Sequence, residues 1–183
     1  RQAPYAAAPG GEAIAGSDPS VFDREIEESV EIVATPAEVW WRLTDFAHYP
    51  QWNPFIVSIR GDLEVGARLS VTLRPEGMPA VVMHPKLLVV RPERELRWLG
   101  SLGLPNLFDG EHAFIIEELA PDRVRFIQRE RFSGLFVPGA LALIADNTLA
   151  GFRAMNQALR RRAEAMHARA EAARNERRAE GAV

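Results

Sequence analysis

Between Val137 and Met166 the large apolar residues fall at Val137, Leu141, Ile144, Phe152, Met155, Leu159 and Met166, with Thr148 and Ala163 filling the gaps. Steps of three and four residues are helix steps, because positions so spaced share one face of a 3.6-residue turn. Pro138 sits where a first turn tolerates a missing N–H, and no proline follows it. The pattern predicts one amphipathic helix of about seven turns or more, with a stripe wide enough to lie across a sheet.

Upstream the period changes. Ile26, Val30 and Ile32 alternate with Glu25, Glu27 and Glu31, as in a half-buried strand over 22–34. Glu28 falls on the apolar parity; a bulge that resets the register is expected in preference to an inward carboxylate, because Glu is rarely buried. Thr35-Pro36-Ala37-Glu38 reads as a helix start, with Thr35 as N-cap and Glu38 closing a capping box. A second short helix starts at Asp45 as its cap and is stopped by Pro50, and Trp52-Asn53-Pro54-Phe55 makes an aromatic turn. Strands are predicted over 56–60, 68–74, 80–90, 95–100, 110–119 and 123–132, separated by turn residues such as Ala120-Pro121-Asp122. Short turns between strands imply an antiparallel sheet, one face of which must receive the long helix.

Composition narrows the function classes. There is no cysteine, so no disulfide framework or thiolate metal site exists. The net charge of −3 argues weakly against a nucleic-acid partner, which calls for a basic face. No stretch approaches the roughly 18 consecutive apolar residues of a membrane span, so no stable membrane insertion is expected. Residues 1–21, rich in Ala, Pro and Gly, read as a disordered leader. Residues 167–183 read as a charged helical extension or a disordered tail, leaving one domain over 22–166. The chain begins at Arg1, as a processed or trimmed product does; a cytoplasmic location is expected, export after signal removal staying open. Four dispersed histidines make a poor zinc site, and no nucleophile elbow or phosphate loop occurs, so neither metal nor cofactor is expected. The sequence does not set the oligomeric state.

Several stretches together carry a family resemblance. They are Ala34-Thr35-Pro36-Ala37-Glu38-Val39-Trp40, Leu43-Thr44-Asp45-Phe46, Tyr49-Pro50-Gln51-Trp52-Asn53-Pro54-Phe55, Phe108-Asp109-Gly110-Glu111-His112-Ala113-Phe114, Gln128-Arg129-Glu130-Arg131-Phe132-Ser133-Gly134-Leu135 and Gly151-Phe152-Arg153-Ala154-Met155-Asn156. With them the chain resembles the START/polyketide-cyclase/Bet v 1-like (SRPBCC) superfamily, in its bacterial polyketide cyclase/dehydrase-like branch, over about residues 24–165. The resemblance implies an α+β helix-grip fold: a seven-stranded, curved antiparallel sheet wrapped around the long C-terminal helix, with two short helices after strand 1. It also implies a cavity between sheet and helix for an apolar small molecule. Packing physics agrees, since a curved sheet cannot lie flush along a straight rod.

The candidate ligand wall comprises Trp52, Trp98, Phe108, Phe114, Phe126 and Phe132, with Leu141, Ile144, Leu149, Phe152 and Met155 from the helix; each of these either lines a pocket or packs as core. The loop 102–109, with Leu104 and Phe108, and the turn ending at Phe55 supply apolar groups where loops are ordinarily polar, as a lid would. Gln128 and Glu130 share the parity of Phe126 and Phe132, so both face an apolar space. Glu130 and His112 are the nominees for acid/base chemistry, with Glu28 and His84 in reserve; a structural network of Glu130 with His112, Arg97 or Asn156 is the competing reading. His48 and His167 read as surface residues. The expected function is binding or carriage of a hydrophobic small molecule, lipid-like or polyketide-like; the alternative is a polyketide cyclase, aromatase or dehydratase using Glu130 and His112. A third reading gives the arginine-rich tail after Arg160 a protein partner.

Overall fold

The computed structural model describes residues 23–101, 109–134 and 137–180. In chain order it contains β1 (Asp23–Ile32), α1 (Pro36–Thr44), a 3-10 helix (Phe46–Gln51), β2 (Ile56–Arg60), β3 (Ser70–Leu73), β4 (Val81–Met83), β5 (Lys86–Arg91), β6 (Glu95–Ser101), β7 (Asp109–Ala120), β8 (Arg123–Ser133) and α2 (Val137–Glu180). The leader 1–21, the loop residues Leu104 and Phe108, and the side chain of Leu141 lie outside the described residues.

The α+β helix-grip layout is present, but the strands number eight among the described residues and form two antiparallel sheets, β1-β8-β7-β6-β5 and β2-β3-β4. The difference arises inside the segment 80–90, which the alternation predicts as one strand. Pro85 has no N–H to give a ladder, so β4 ends at Met83 and β5 begins at Lys86. The sheets are stitched at this break: Leu69 N–H donates to the Pro85 carbonyl at 2.9 Å, Leu87 N–H donates to Ala67 at 2.9 Å, and Arg68 bridges Lys86. The chain therefore passes from the small sheet to the large one at His84-Pro85.

Register decides which side chains meet the helix. Val30 lies opposite Phe126, Glu28 opposite Gln128, Ile116 opposite Phe126, His112 opposite Glu130, and Trp98 opposite His112, so one parity of the large sheet is apolar with few polar groups. The other parity carries charge pairs, among them Arg129 with Glu25 and Glu27, and Arg125 with Glu31 and Glu117. Such exposed pairs contribute about 0–1 kcal/mol each and serve mainly to keep that face wet. The β1–β8 register runs unbroken from Asp23 to Ile32, so no bulge occurs at Glu28. Its carboxylate instead turns toward the helix and accepts from Arg153 Nε of α2 at 3.1 Å, a cation that offsets the partial burial.

Local chemistry explains α1. Thr35 Oγ1 accepts from Glu38 N–H at 3.2 Å and Thr35 N–H donates to the Glu38 carboxylate at 2.9 Å, the reciprocal capping box. Asp45 makes no side-chain cap for the 3-10 helix; it takes Arg42 at 3.4 Å and His48 at 2.7 Å instead. Pro50 lies inside that short helix rather than ending it.

α2 spans 44 residues, about 66 Å at 1.5 Å per residue. Phe152, Met155, Leu159 and Ala163 are fully buried along its stripe. The helix continues to Glu180 on Ala, Arg and Glu, which are good helix formers. His167, expected at the surface, is 8% exposed and its Nδ1–H donates to Glu38 at 2.8 Å. Arg162 reaches the Gln51 carbonyl at 3.1 Å, and Glu164 accepts from Val33 N–H at 3.2 Å. The start of the charged stretch thus straps α2 to α1 and to the end of β1. Among the described residues no helix is long and apolar enough to cross a membrane.

Candidate functional site

The turn before β2 is fixed by hydrogen bonds that place one ring. Tyr49 is buried, and its hydroxyl donates to the Leu43 carbonyl at 2.6 Å; burial pushes its phenol far above the usual range, so it is a fixed donor. Trp52 packs edgewise on Tyr49 with centroids 4.9 Å apart. Asn53 Oδ1 then accepts from Phe55 N–H at 3.0 Å and Ile56 N–H at 2.9 Å, an Asx turn. Arg74 N–H donates to the Phe55 carbonyl at 2.8 Å and locks the turn to the end of β3. Phe55 consequently projects against α2, its ring edge on Phe152 with centroids 5.9 Å apart.

A cavity of about 160 Å³ opens where the two sheets and α2 stand apart. Phe55, Trp98, Phe132 and Ile144 form its large apolar walls, and Leu73, Val81, Met78 and Met83 close the side of the small sheet. Met78 and Val81 remain 37% and 39% exposed, so they form the rim. Gly100 and Gly110, paired across β6 and β7, give a floor of bare backbone. A Cβ on Gly110 would come within 2.7 Å of Glu130 Oε1, so glycine gives that carboxylate its room.

His112 and Glu130 meet on this wall, opposite each other on β7 and β8, with Nδ1 and Oε2 3.5 Å apart. The His112 ring is packed by Trp98, Phe114 and Phe152 at centroid distances of 5.5, 4.3 and 4.9 Å. Its buried Nε2 has no hydrogen-bond partner among the described residues. Asn147 and Thr148 of α2 supply the other polar atoms of the lining, although Thr148 Oγ1 is already turned back to the Ile144 carbonyl at 2.8 Å. The arrangement is a greasy chamber with one His–Glu pair at its wall.

Of the residues the pattern nominates, Phe55, Trp98, Phe132, Ile144, His112 and Glu130 come together around the cavity. Trp52, Phe114, Phe126, Gln128, Phe152 and Met155 do not line it. Phe114 and Phe126 stack with centroids 6.2 Å apart and, like Phe152 and Met155, are fully buried in the core beside the cavity. Gln128 is buried beside them and its Nε2 donates to Asn156 Oδ1 at 2.7 Å, tying β8 to α2. The other partners considered for Glu130 are engaged elsewhere: Asn156 by Gln128, and Arg97 by Glu95 and Glu111 on the outer face. His84 is exposed and apart from the cavity. Sequence reasoning missed Leu73, Met78, Val81, Met83, the two glycines and Asn147. Glycines inside strands were the usable signal, since they mark close approach or open space. Among the described residues no group of three or more His, Asp or Glu is placed to hold a metal ion.

Residues 23–171 match a family described as polyketide cyclase/dehydrase and lipid transport. The chain belongs to this family. Its solved structural neighbours agree with the SRPBCC fold. Norcoclaurine synthase from Thalictrum flavum, in complex with dopamine and hydroxybenzaldehyde, is 17% identical with a TM-score of 0.58, covering 81% of this chain and 95% of that one. The Zhui aromatase/cyclase from a Streptomyces species is 15% identical with a TM-score of 0.59, over 77% and 96%. A START superfamily protein from Mycobacterium smegmatis is 23% identical with a TM-score of 0.58, over 78% and 98%. Among curated proteins none matches the sequence. For this SRPBCC chain the neighbours speak to fold, at identities too low to transfer a substrate.

Proposed function

We propose that this SRPBCC domain binds and carries a hydrophobic small molecule, aromatic or lipid-like, in the cavity between its sheets and α2. The observation that carries the reading is the cavity itself, about 160 Å³ walled by Phe55, Trp98, Phe132, Ile144 and two methionines. Transferring apolar ligand surface out of water into such a space is favourable by about 25 cal/mol per Å². The family description and the aromatase/cyclase and START neighbours support it. Native mass spectrometry of the protein purified from its own host tests it: the expected result is a bound small molecule, released on denaturation and partitioning into organic solvent. Protein that emerges empty, and then shows no saturable binding of aromatic or fatty compounds below about 1 mM, overturns it.

A second reading is favoured by one observation, the His112–Glu130 pair on the cavity wall. In a cyclase, aromatase or dehydratase the chamber would hold a substrate in a folded conformation while this pair moves a proton. Glu130→Gln keeps the shape and removes the ionisable group. On a polyketide-like substrate that is turned over, kcat is expected to fall about 10²-fold or more with affinity unchanged. Equal kcat in Glu130→Gln and the parent protein sinks this reading and leaves the carrier.

A further inference from the structure

The cavity is not the only space against α2. A groove of about 400 Å³ lies beside it, bounded by Pro54, Arg74, Glu76 and Gly77 on one side and by Ala150, Gly151 and Ala154 of α2 on the other. Three residues, Phe55, Pro75 and Met78, line both spaces. Ile144, Asn147 and Thr148 face the inner cavity, and the next turn and a half of the same helix faces the groove. The two spaces are therefore neighbours along one helix, divided by a thin partition.

Phe55 is the rigid part of that partition. A Cβ built on Gly151 would lie 2.3 Å from Phe55 Cδ2 and 2.5 Å from Cε2, so the ring rests on bare helix backbone that only glycine leaves accessible. Phe152 holds the ring edge, and the Asn53 turn holds its backbone. Met78 is flexible and rim-exposed, so it yields to a guest where the seated ring does not. The size of the inner space then decides what fits: an apolar cavity of about 150 Å³ holds benzene, and the inner cavity is about 160 Å³.

We propose that Phe55, seated on Gly151, is the size filter of the site. It confines the ligand to a compact apolar molecule of about one ring and shuts longer chains out of the groove beyond. This rests on the ligand-binding reading above and narrows it.

The test is a homologous series of 4-alkylphenols, from phenol to 4-octylphenol, titrated by isothermal calorimetry into the full chain. In the parent protein affinity is expected to rise about fourfold per added methylene, the value of one buried CH₂, and then to reach a cut-off within a few carbons. Phe55→Ala joins the two spaces, and the affinity ratio of 4-octylphenol to phenol is expected to rise at least tenfold. Gly151→Ala, which favours the helix, pushes the ring into the inner cavity and moves the cut-off to shorter chains. Phe55→Leu repeats the first comparison if the alanine variant does not fold. A cut-off at the same carbon number in the parent, Phe55→Leu and Gly151→Ala overturns the filter while leaving ligand binding intact. Absence of binding for every phenol in the parent protein overturns the filter and tells against the binding reading beneath it.

Discussion

Glu38 does two things with one carboxylate: it closes the capping box of α1 at Thr35 and it receives His167 of α2 at 2.8 Å. Partial burial acts to raise its pKa, but the hydrogen bonds from Thr35 and His167 outweigh it and hold the carboxyl below its ordinary value. A lowered folded-state pKa means stability that is present above the unfolded value, about 4.3, and lost as pH falls through the folded one. Glu38→Gln is expected to cost about 1 kcal/mol at neutral pH. The gap between the two proteins should close below about pH 4. Urea unfolding at several pH values checks this; a gap that is constant with pH contradicts it.

Gln128 and Asn156 form a buried bond of 2.7 Å between β8 and α2. Truncating Gln128 to alanine orphans Asn156 Oδ1, and truncating Asn156 leaves Gln128 Nε2 only the long contact to the Phe152 carbonyl at 3.4 Å, so each single variant is expected to lose about 1–3 kcal/mol. The double variant should lose less than the sum, because the orphaned group disappears with its partner. A double-mutant cycle by chemical denaturation measures the coupling, and strict additivity would show that the pair does not tie strand to helix.

Phe126 belongs to the core by placement, fully buried against Phe114. Phe126→Ala is expected to destabilise by about 3–5 kcal/mol. Phe132, which lines the cavity, should affect ligand affinity more than Phe126 does relative to its effect on stability. Parallel thermal melts and ligand titrations of both variants decide the order.

Gly100 offers a way to fill the chamber without replacing His112 or Glu130. A Cβ there would lie 2.3 Å from Met83 Cε, the mobile end of a flexible side chain that also lines the cavity. Gly100→Leu is expected to take up the cavity and cut ligand affinity at least tenfold, while stability changes by no more than about 1–3 kcal/mol. Unaltered affinity in a folded Gly100→Leu protein would place the ligand elsewhere.

The elements that proved legible are those written within one turn or one hairpin. The Thr35–Glu38 capping box, the Ala120-Pro121-Asp122 hairpin and the stripe through Phe152, Met155 and Leu159 all appear where spacing puts them. The break at Pro85 was in principle visible, since a proline inside an apolar run argues against one strand. The unbroken register at Glu28 was not, because its outcome depends on Arg153, 125 positions away along the chain. His167 is similar: a histidine among arginines reads as surface until α1 is brought beneath it.

For the site, parity yields a face but not a depth. Gly110, His112, Phe114 and Ile116 alternate onto the same side of β7; the first two line a chamber and the last two are buried in the core. By itself the sequence determined the family, the long helix, and the apolar parity of the strands, because these follow from short-range periodicity and backbone geometry. Only the tertiary structure decided where helix and sheets part, which polar residues pair, and that Phe55 rests on Gly151. Those depend on how one long helix crosses two sheets, and no local pattern encodes the crossing point.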